Sequence, residues 1–361
     1  MLTPLLTTRQ IRVAHGRLLK ATPVFDTYWR FAQARQDLFM KRVRGESPPW
    51  TADPVLAQHR FTNAYRASDR VSQYLIRHAI YEGSEQPEEI FFRVLLFKIF
   101  NRIDTWERLV AALGPPTWRS FEFTHYASVF DRLMLDGERI YSAAYIMPSP
   151  SFGDARKHRN HLRLIEHMMR DGAPAKVARA HSLADVFTIL RSYPSLGAFL
   201  AFQFSIDLNY SQMIDFPEME FVVAGPGARD GIRKCFSDTA GLEEADVIRA
   251  VTERASEEFE RLGLSFQTLW GRPLQLIDCQ NLFCEVDKYA RVVHPEFSGA
   301  SGRTRIKQKY APKSTAVPQW YPPKWGLAPV GAMSAERPSM ANPLPRKRAQ
   351  QAAFALTSPR R

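Results

Sequence analysis

The stretch from Ile90 to Phe100 constrains this chain more than any other. Nine of its eleven residues are apolar, and they fall on every side of a helical wheel, so the segment offers no polar face to water. Pro87 suits a first helical position just ahead of it. A helix apolar all round belongs at the centre of an all-α body. Arg93 and Lys98 interrupt the run, and it is too short to span a bilayer, so no membrane partner is expected.

Further helices are expected near 23–43, 62–80, 118–136, 155–171, 182–191, 196–213, 228–237, 243–261 and 274–293. Asn101 and Arg102 end the apolar helix, and Asp104 with Glu107 makes a D-x-x-E capping pattern for the next. Strand-like alternation is nearly absent; Phe221-Val222-Val223 is the one short β-branched run of note. There is no internal repeat.

The formal charge of +12 points first to an acidic partner such as nucleic acid. Its distribution weakens that inference. Residues 301–361 hold 12 Lys and Arg against Glu336 alone, leaving 37 basic and 36 acidic side chains in residues 1–300. Nine of the 25 prolines also lie in that last segment. Three spans follow: an N-terminal extension at 1–22, a helical domain at 23–310, and a flexible, proline-rich basic tail at 311–361. Arg346-Lys347-Arg348, the most basic run of the tail, reads as a nuclear address, a phosphate contact or a solvated end. MLTPLLTTRQ lacks the basic and long apolar regions of a secretory signal. With Cys235, Cys279 and Cys284 forming neither a disulfide framework nor a zinc pattern, an intracellular protein working with DNA is expected.

Within VVAGPGARDGIRKCF, residues 222–236, the glycines admit three readings. A dinucleotide turn needs G-x-G-x-x-G between a strand and a helix, but here the spacing is G-x-G-x-x-x-G with a proline inside. A plain glycine-rich connection is the second. The third is a helix-hairpin-helix turn, similar to that of DNA glycosylases: Gly225 and Gly227 allow the bend, and the amides of Gly227, Ala228 and Arg229 face a DNA phosphate. Arg233 and Lys234 would add charge there.

In LGAFLAFQFSIDLNYSQ, residues 196–212, Gln203, Asp207, Tyr210 and Ser211 share one narrow sector flanked by apolar residues. A carboxylate there is costly unless it is paired or lines a cleft, which makes Asp207 a candidate site residue or the centre of a buried structural network. QLIDCQNLFCEVDKYARV, residues 275–292, sets Asn281, Glu285 and Lys288 on one face, either a solvated face with an ion pair or part of a site. Asn63, Arg66, Asp69 and Arg70 recur at helical spacing, and they and Asn101–Arg102 serve equally as caps or as ligands. His158 and His161 stand among Arg156, Lys157, Arg159 and Arg163, a neighbourhood that opposes a dication, and no metal site is expected. No G-x-x-x-x-G-K-[ST] loop, G-x-S-x-G elbow or H-E-x-x-H pair occurs.

Taken in order, FTNAYRASDRVSQYLI, FRVLLFKIFNRIDTWERL, the helix around Asp207, FVVAGPGARDGIRKCF and LFCEVDKYARV resemble the α-glutamyl/putrescinyl thymine pyrophosphorylase family, itself related to the helical domain of 5-hydroxymethyluracil DNA kinases. The likeness covers roughly 25–310. It implies an all-α fold akin to helix-hairpin-helix DNA glycosylases. It also implies a transferase that displaces phosphate or pyrophosphate from a 5-hydroxymethyl group of uracil in DNA with an amine or amino acid. DNA, the amine and a separate 5-hydroxymethyluracil DNA kinase are the implied partners, and no cofactor is required. Asp207, Glu285 and Lys288 are then the candidate catalytic residues. Asn101, Arg102, Gln203, Tyr210 and Arg291 are candidates for holding substrate, and Gly225, Gly227, Ala228, Arg229, Arg233 and Lys234 for gripping the DNA backbone. Two other readings remain: a glycosylase for oxidised thymine, though neither Asp238 nor Asp246 has the V-D-T context of such enzymes, and a non-enzymatic DNA-binding module.

Overall fold

The computed structural model describes residues 9–13, 16–311 and 319–328. Its helices are α1 (Pro23–Val43), α2 (Pro54–Gln58), α3 (Arg70–Tyr74), α4 (Pro87–Phe100), α5 (Ile103–Leu113), α6 (Phe123–Leu135) and α7 (Lys157–Arg170), then α8 (Ala173–Ala178), α9 (Leu183–Arg191), α10 (Ala198–Asn209), α11 (Pro226–Cys235), α12 (Glu244–Glu253), α13 (Ala255–Arg261) and α14 (Leu276–Val293). The protein is mostly helical, as its periodicity indicates. Among the described residues no helix is long and apolar enough to cross a membrane.

Every residue of α4 from Ile90 to Phe100 is buried, and the helix packs against α7, α8 and α10. Burying each Leu or Phe stabilises by roughly 1.5–3 kcal/mol, whereas an unpaired buried cation costs several. Both interruptions of the run are therefore answered. Arg93 donates to the carbonyls of Ala79, Ile80 and Ser84 at 2.7–3.1 Å, closing the end of the preceding element. Lys98 finds a carboxylate, described below.

Three short strands were not legible in the sequence. β1 (Arg9–Arg12) pairs antiparallel with β2 (Leu18–Ala21), and β2 with β3 (Phe236–Asp238). The Thr22 amide then donates to Cys235 O at 2.9 Å, joining the start of α1 to the end of α11. Strands of three or four residues on a sheet edge carry too little alternation to register. Phe221-Val222-Val223 forms no strand.

The helix expected over 62–80 is broken. Residues 66–68 make one 3-10 turn, α3 follows, and Leu75–Ile80 is a π-helical turn. The cause is competition from side chains: Asp69 takes the Asn63 amide at 2.8 Å, and Asp278 the Arg66 amide at 2.8 Å, before any carbonyl four residues back can. The D-x-x-E cap is likewise absent, since α5 begins one residue earlier with Arg102 at its N-cap. Asp104 instead receives the Arg102 guanidinium. The helix over 196–213 stops at Asn209, whose side-chain amide clamps both the N–H and the carbonyl of Phe216 at 2.9 Å.

Part of the stretch read as a flexible tail is packed. Trp320 and Tyr321 are buried, the Tyr321 hydroxyl meets Ser68 Oγ at 2.8 Å, and Lys324 Nζ donates to the carbonyls of Ser211 and Ile214. Apolar rings in a proline-rich segment, not periodicity, carry this contact. The run Arg346-Lys347-Arg348 lies outside the described residues. A chain ending at residue 318 is expected to lose at least about 2 kcal/mol of unfolding free energy through Trp320 and Tyr321. Denaturant titration of that truncation beside one ending at 328 isolates the contribution of residues 319–328, and equal stability of the two would contradict the packing.

Candidate functional site

The one charge of the apolar helix α10, Asp207, is set by the fold against a cation of the apolar run of α4. Asp207 of α10 is wholly buried and lies 3.0 Å from Lys98 Nζ of α4 and 2.8 Å from the Arg66 guanidinium. Arg66 also donates to Gln203 Oε1 at 3.0 Å and to the Tyr210 hydroxyl at 3.1 Å. The cluster thus joins three residues of the polar sector of α10 to two cations from elsewhere. Tyr145 closes it: its hydroxyl donates to Gln203 Oε1, and Lys98 Nζ stands 4.4 Å from its ring centroid. Gln203 reaches Gln280 of α14 at 3.5 Å.

Two cations against one carboxylate leave this buried trio with an excess of positive charge. Burial alone would loosen the proton of Arg66, but the Asp207 carboxylate reverses that and pushes its ionisation well above the ordinary arginine value. Burial likewise raises the Tyr210 hydroxyl far above a free phenol, so it stays protonated. Of the cluster's side chains, Tyr145 is half-buried, and it is flanked by half-buried Phe199, with which it stacks at 5.9 Å.

The 61–70 segment that delivers Arg66 is held by carboxylates of α14. Glu285 accepts the Thr62 amide at 3.1 Å and pairs with Lys288 at 2.6 Å, so both serve to clamp this segment. Arg35 binds the Thr62 carbonyl and Asn63 Oδ1 from the other side. Burial raises Asp278 to about 7 and Asp69 to about 6, each opposed by the amides they accept.

The glycine segment differs from the expected hairpin turn. Gly225 has φ −72° and ψ 167°, ordinary extended backbone, and Gly227 is already inside α11. What these positions require is the absence of a Cβ. One at Gly225 would lie 2.7 Å from the Phe199 ring, one at Gly227 3.2 Å from Cys284 Sγ, and one at Gly231 2.1 Å from the Phe283 carbonyl oxygen. The spacing 227/231 is therefore the track along which α11 packs on α14. Gly225 and Ala228 are buried, whereas Arg229 and Arg233 are exposed, Arg229 near Glu244 at 3.8 Å.

Lys234 does not face solvent as expected for a DNA contact. It is 1% exposed and pairs with Asp287 at 3.0 Å, because its position on α11 turns toward α14. Arg291 is held by that same Asp287 and by Arg305 O, so it too is committed within the fold. Asn101 is the left-handed C-cap of α4 at φ 51°. Arg102 turns to Asp104 and lies against an apolar cavity of about 10 Å³ beside Leu96 and Trp106, too small for a ligand. Neither belongs to the Asp207 cluster.

The histidines of α7 are spoken for. His158 Nε2 meets Asp131 at 2.6 Å, and His161 lies between the Tyr141 hydroxyl at 2.6 Å and Pro148 O at 2.9 Å. Burial lowers His161 to about 4, so it is neutral at physiological pH. Because its folded value lies below the unfolded 6.5, its contribution is complete above pH 6.5 and is lost as pH falls toward 4. A proton NMR titration is expected to place His161 near 4; a midpoint near 6.5 would contradict the Tyr141–His161–Pro148 chain.

Sequence reasoning singles out Asp207, Gln203 and Tyr210 but not their partners Lys98, Tyr145 and Gln280, and it leaves Arg66 open between a cap and a ligand. The signal was present for Lys98: a cation inside an apolar helix demands a partner, and Asp207 is the one carboxylate of the other apolar helix.

The family described as the 5-hmdU DNA kinase, helical domain, matches residues 22–299. A 5-hmdU DNA kinase of Bacillus phage SP10 is 24% identical over 286 residues, covering 74% of this chain and 45% of the phage protein. The chain thus spans less than half the length of that relative. No solved structure matches significantly.

Proposed function

The chain belongs to the family of the 5-hmdU DNA kinase helical domain, and on that premise we propose that it is a transferase acting on phosphorylated 5-hydroxymethyluracil in DNA. The observation that carries the reading is the buried trio Arg66–Asp207–Lys98, whose excess positive charge suits a departing phosphate. The phage relative is a 5-hmdU DNA kinase, which supports 5-hydroxymethyluracil in DNA as the base concerned. The proposed reaction consumes the phosphorylated base.

In this reaction the methylene C–O bond breaks, a C–N bond to a primary amine forms, and the amine's proton passes by way of a carboxylate of the protein to the released phosphate. Arg66 and Lys98 hold the leaving group as negative charge develops on it. Asp207 keeps the two cations side by side, a role that fits its contacts better than accepting a proton. Asp69, raised to about 6 and three residues from Arg66, is the better proton acceptor. Tyr145 and Phe199 supply ring faces for the displaced base. Gly227, at the start of α11, with exposed Arg229 and Arg233, takes the backbone.

The test is incubation with duplex DNA carrying phosphorylated 5-hydroxymethyluracil and a mixture of amino acids and polyamines, followed by nucleoside mass spectrometry. A new amine-bearing nucleoside is expected. Free base with abasic sites would instead favour the glycosylase reading, and unchanged nucleosides across all amines would overturn enzymatic action. A second reading, a module that presents DNA to a separate kinase, is favoured by the matched region being part of a kinase polypeptide. It requires tight binding of 5-hydroxymethyluracil duplexes with no change in the nucleosides.

A further inference from the structure

The loop between α6 and α7 is pinned along its length. The Ser142 amide donates to Phe100 O at 2.8 Å, Tyr145 stacks on Phe199 and bonds Gln203, Met147 is buried, and His161 holds Pro148 O. Between Tyr145 and Met147 stands Ile146, 87% exposed. Single exposed apolar side chains are ordinary. This one is held outward by anchored neighbours on both sides, and one of those neighbours covers Lys98 of the buried cluster.

Its surroundings suit a polyanion. Lys157 Nζ sits 4.6 Å from the Tyr141 ring at the loop's base, and Arg156, about half exposed and paired with Asp131 at 2.6 Å, caps α7 beside it. On the other flank Phe199 abuts Gly225, the N-cap of α11, and exposed Arg229 lies one turn into that helix. An apolar tip among cations, next to half-buried rings, matches the side chains that enter a base stack where a nucleotide has been turned out.

We propose that Ile146 is a wedge that enters the DNA duplex and fills the space left by the base drawn toward Tyr145. This rests on the DNA reading above and adds a residue and a step to it. Ile146 belongs to the interaction with duplex DNA alone; a single strand has no stack to open.

The experiment uses the full chain with a duplex carrying 2-aminopurine next to phosphorylated 5-hydroxymethyluracil, and with the same strand unpaired. Wild type is expected to raise 2-aminopurine fluorescence on the duplex. Ile146→Ala should weaken duplex binding and the fluorescence rise about tenfold, Ile146→Leu should retain both, and binding to the single strand should change less than twofold in either variant. Equal behaviour of wild type and Ile146→Ala on the duplex would overturn the wedge while leaving the DNA reading intact. A wild type that binds neither form would overturn both. If Ile146→Ala instead abolishes self-association in sedimentation with duplex binding unchanged, the residue serves a second copy of the chain, and the wedge falls.

Discussion

Replacing Asp207 by Asn is expected to lower the unfolding free energy by about 3–5 kcal/mol, the cost of leaving buried charge without its partner. Arg66 and Lys98 are 3% and 5% exposed in their side chains, so water is a poor substitute for the carboxylate as their partner. Urea denaturation measures this. The double variant Asp207→Leu with Lys98→Met should recover part of the loss, since it removes one cation with the anion and leaves Arg66 supported by Gln203 and Tyr210. A loss below about 1 kcal/mol for the single variant would mean the trio is hydrated and weakly coupled.

The second large effect is expected at Gly231. An alanine there brings its Cβ to 2.1 Å from the Phe283 carbonyl oxygen, a backbone atom that cannot rotate away. The helices must part, at a cost of about 3 kcal/mol or more. Gly227→Ala meets Cys284 at 3.2 Å and should cost less, because a side chain can shift. Gly197→Ala, with open space around it, is the control and should be nearly neutral. Thermal melts of the three variants rank them, and a Gly231→Ala melt equal to that of Gly197→Ala would contradict the α11–α14 packing.

Several features of the fold follow from residue periodicity. The run 90–100 dictated a central helix, and α1, α9 and α14 lie within two residues of their expected bounds. Misjudged elements are those in which side chains outcompete the backbone: Asp69 and Asp278 break the helix over 62–80, and Asn209 ends α10 early. The polar sector of α10 was legible because a carboxylate in an apolar helix is conspicuous. Its partners were not, because pairing Asp207 with Lys98 and Arg66 joins residues more than a hundred positions apart. The glycines stood out in sequence but for the wrong reason: close approach, not a bend, makes them necessary. Lys234 and Arg291 were misplaced because a formal charge says nothing of which face of a helix its residue occupies, and both turn to Asp287.

These placements also redistribute the chemistry among the residues. Glu285 and Lys288 secure the segment that carries Arg66, Asp207 holds cations, and in the proposed reaction the acceptor of the amine's proton is Asp69. A variant such as Lys98→Met should therefore slow release of the phosphate far more than it weakens DNA binding, whereas Arg229→Ala should do the reverse.

The most direct measurement follows both products of a single turnover on one duplex. DNA carrying ³²P-phosphorylated 5-hydroxymethyluracil is mixed with excess protein and an isotopically labelled amine, and released phosphate and labelled nucleoside are counted together. Displacement at the methylene carbon predicts one amine incorporated for each phosphate released, with both signals lost in Lys98→Met. Phosphate released without amine incorporation, or free base in place of a modified nucleoside, would contradict it.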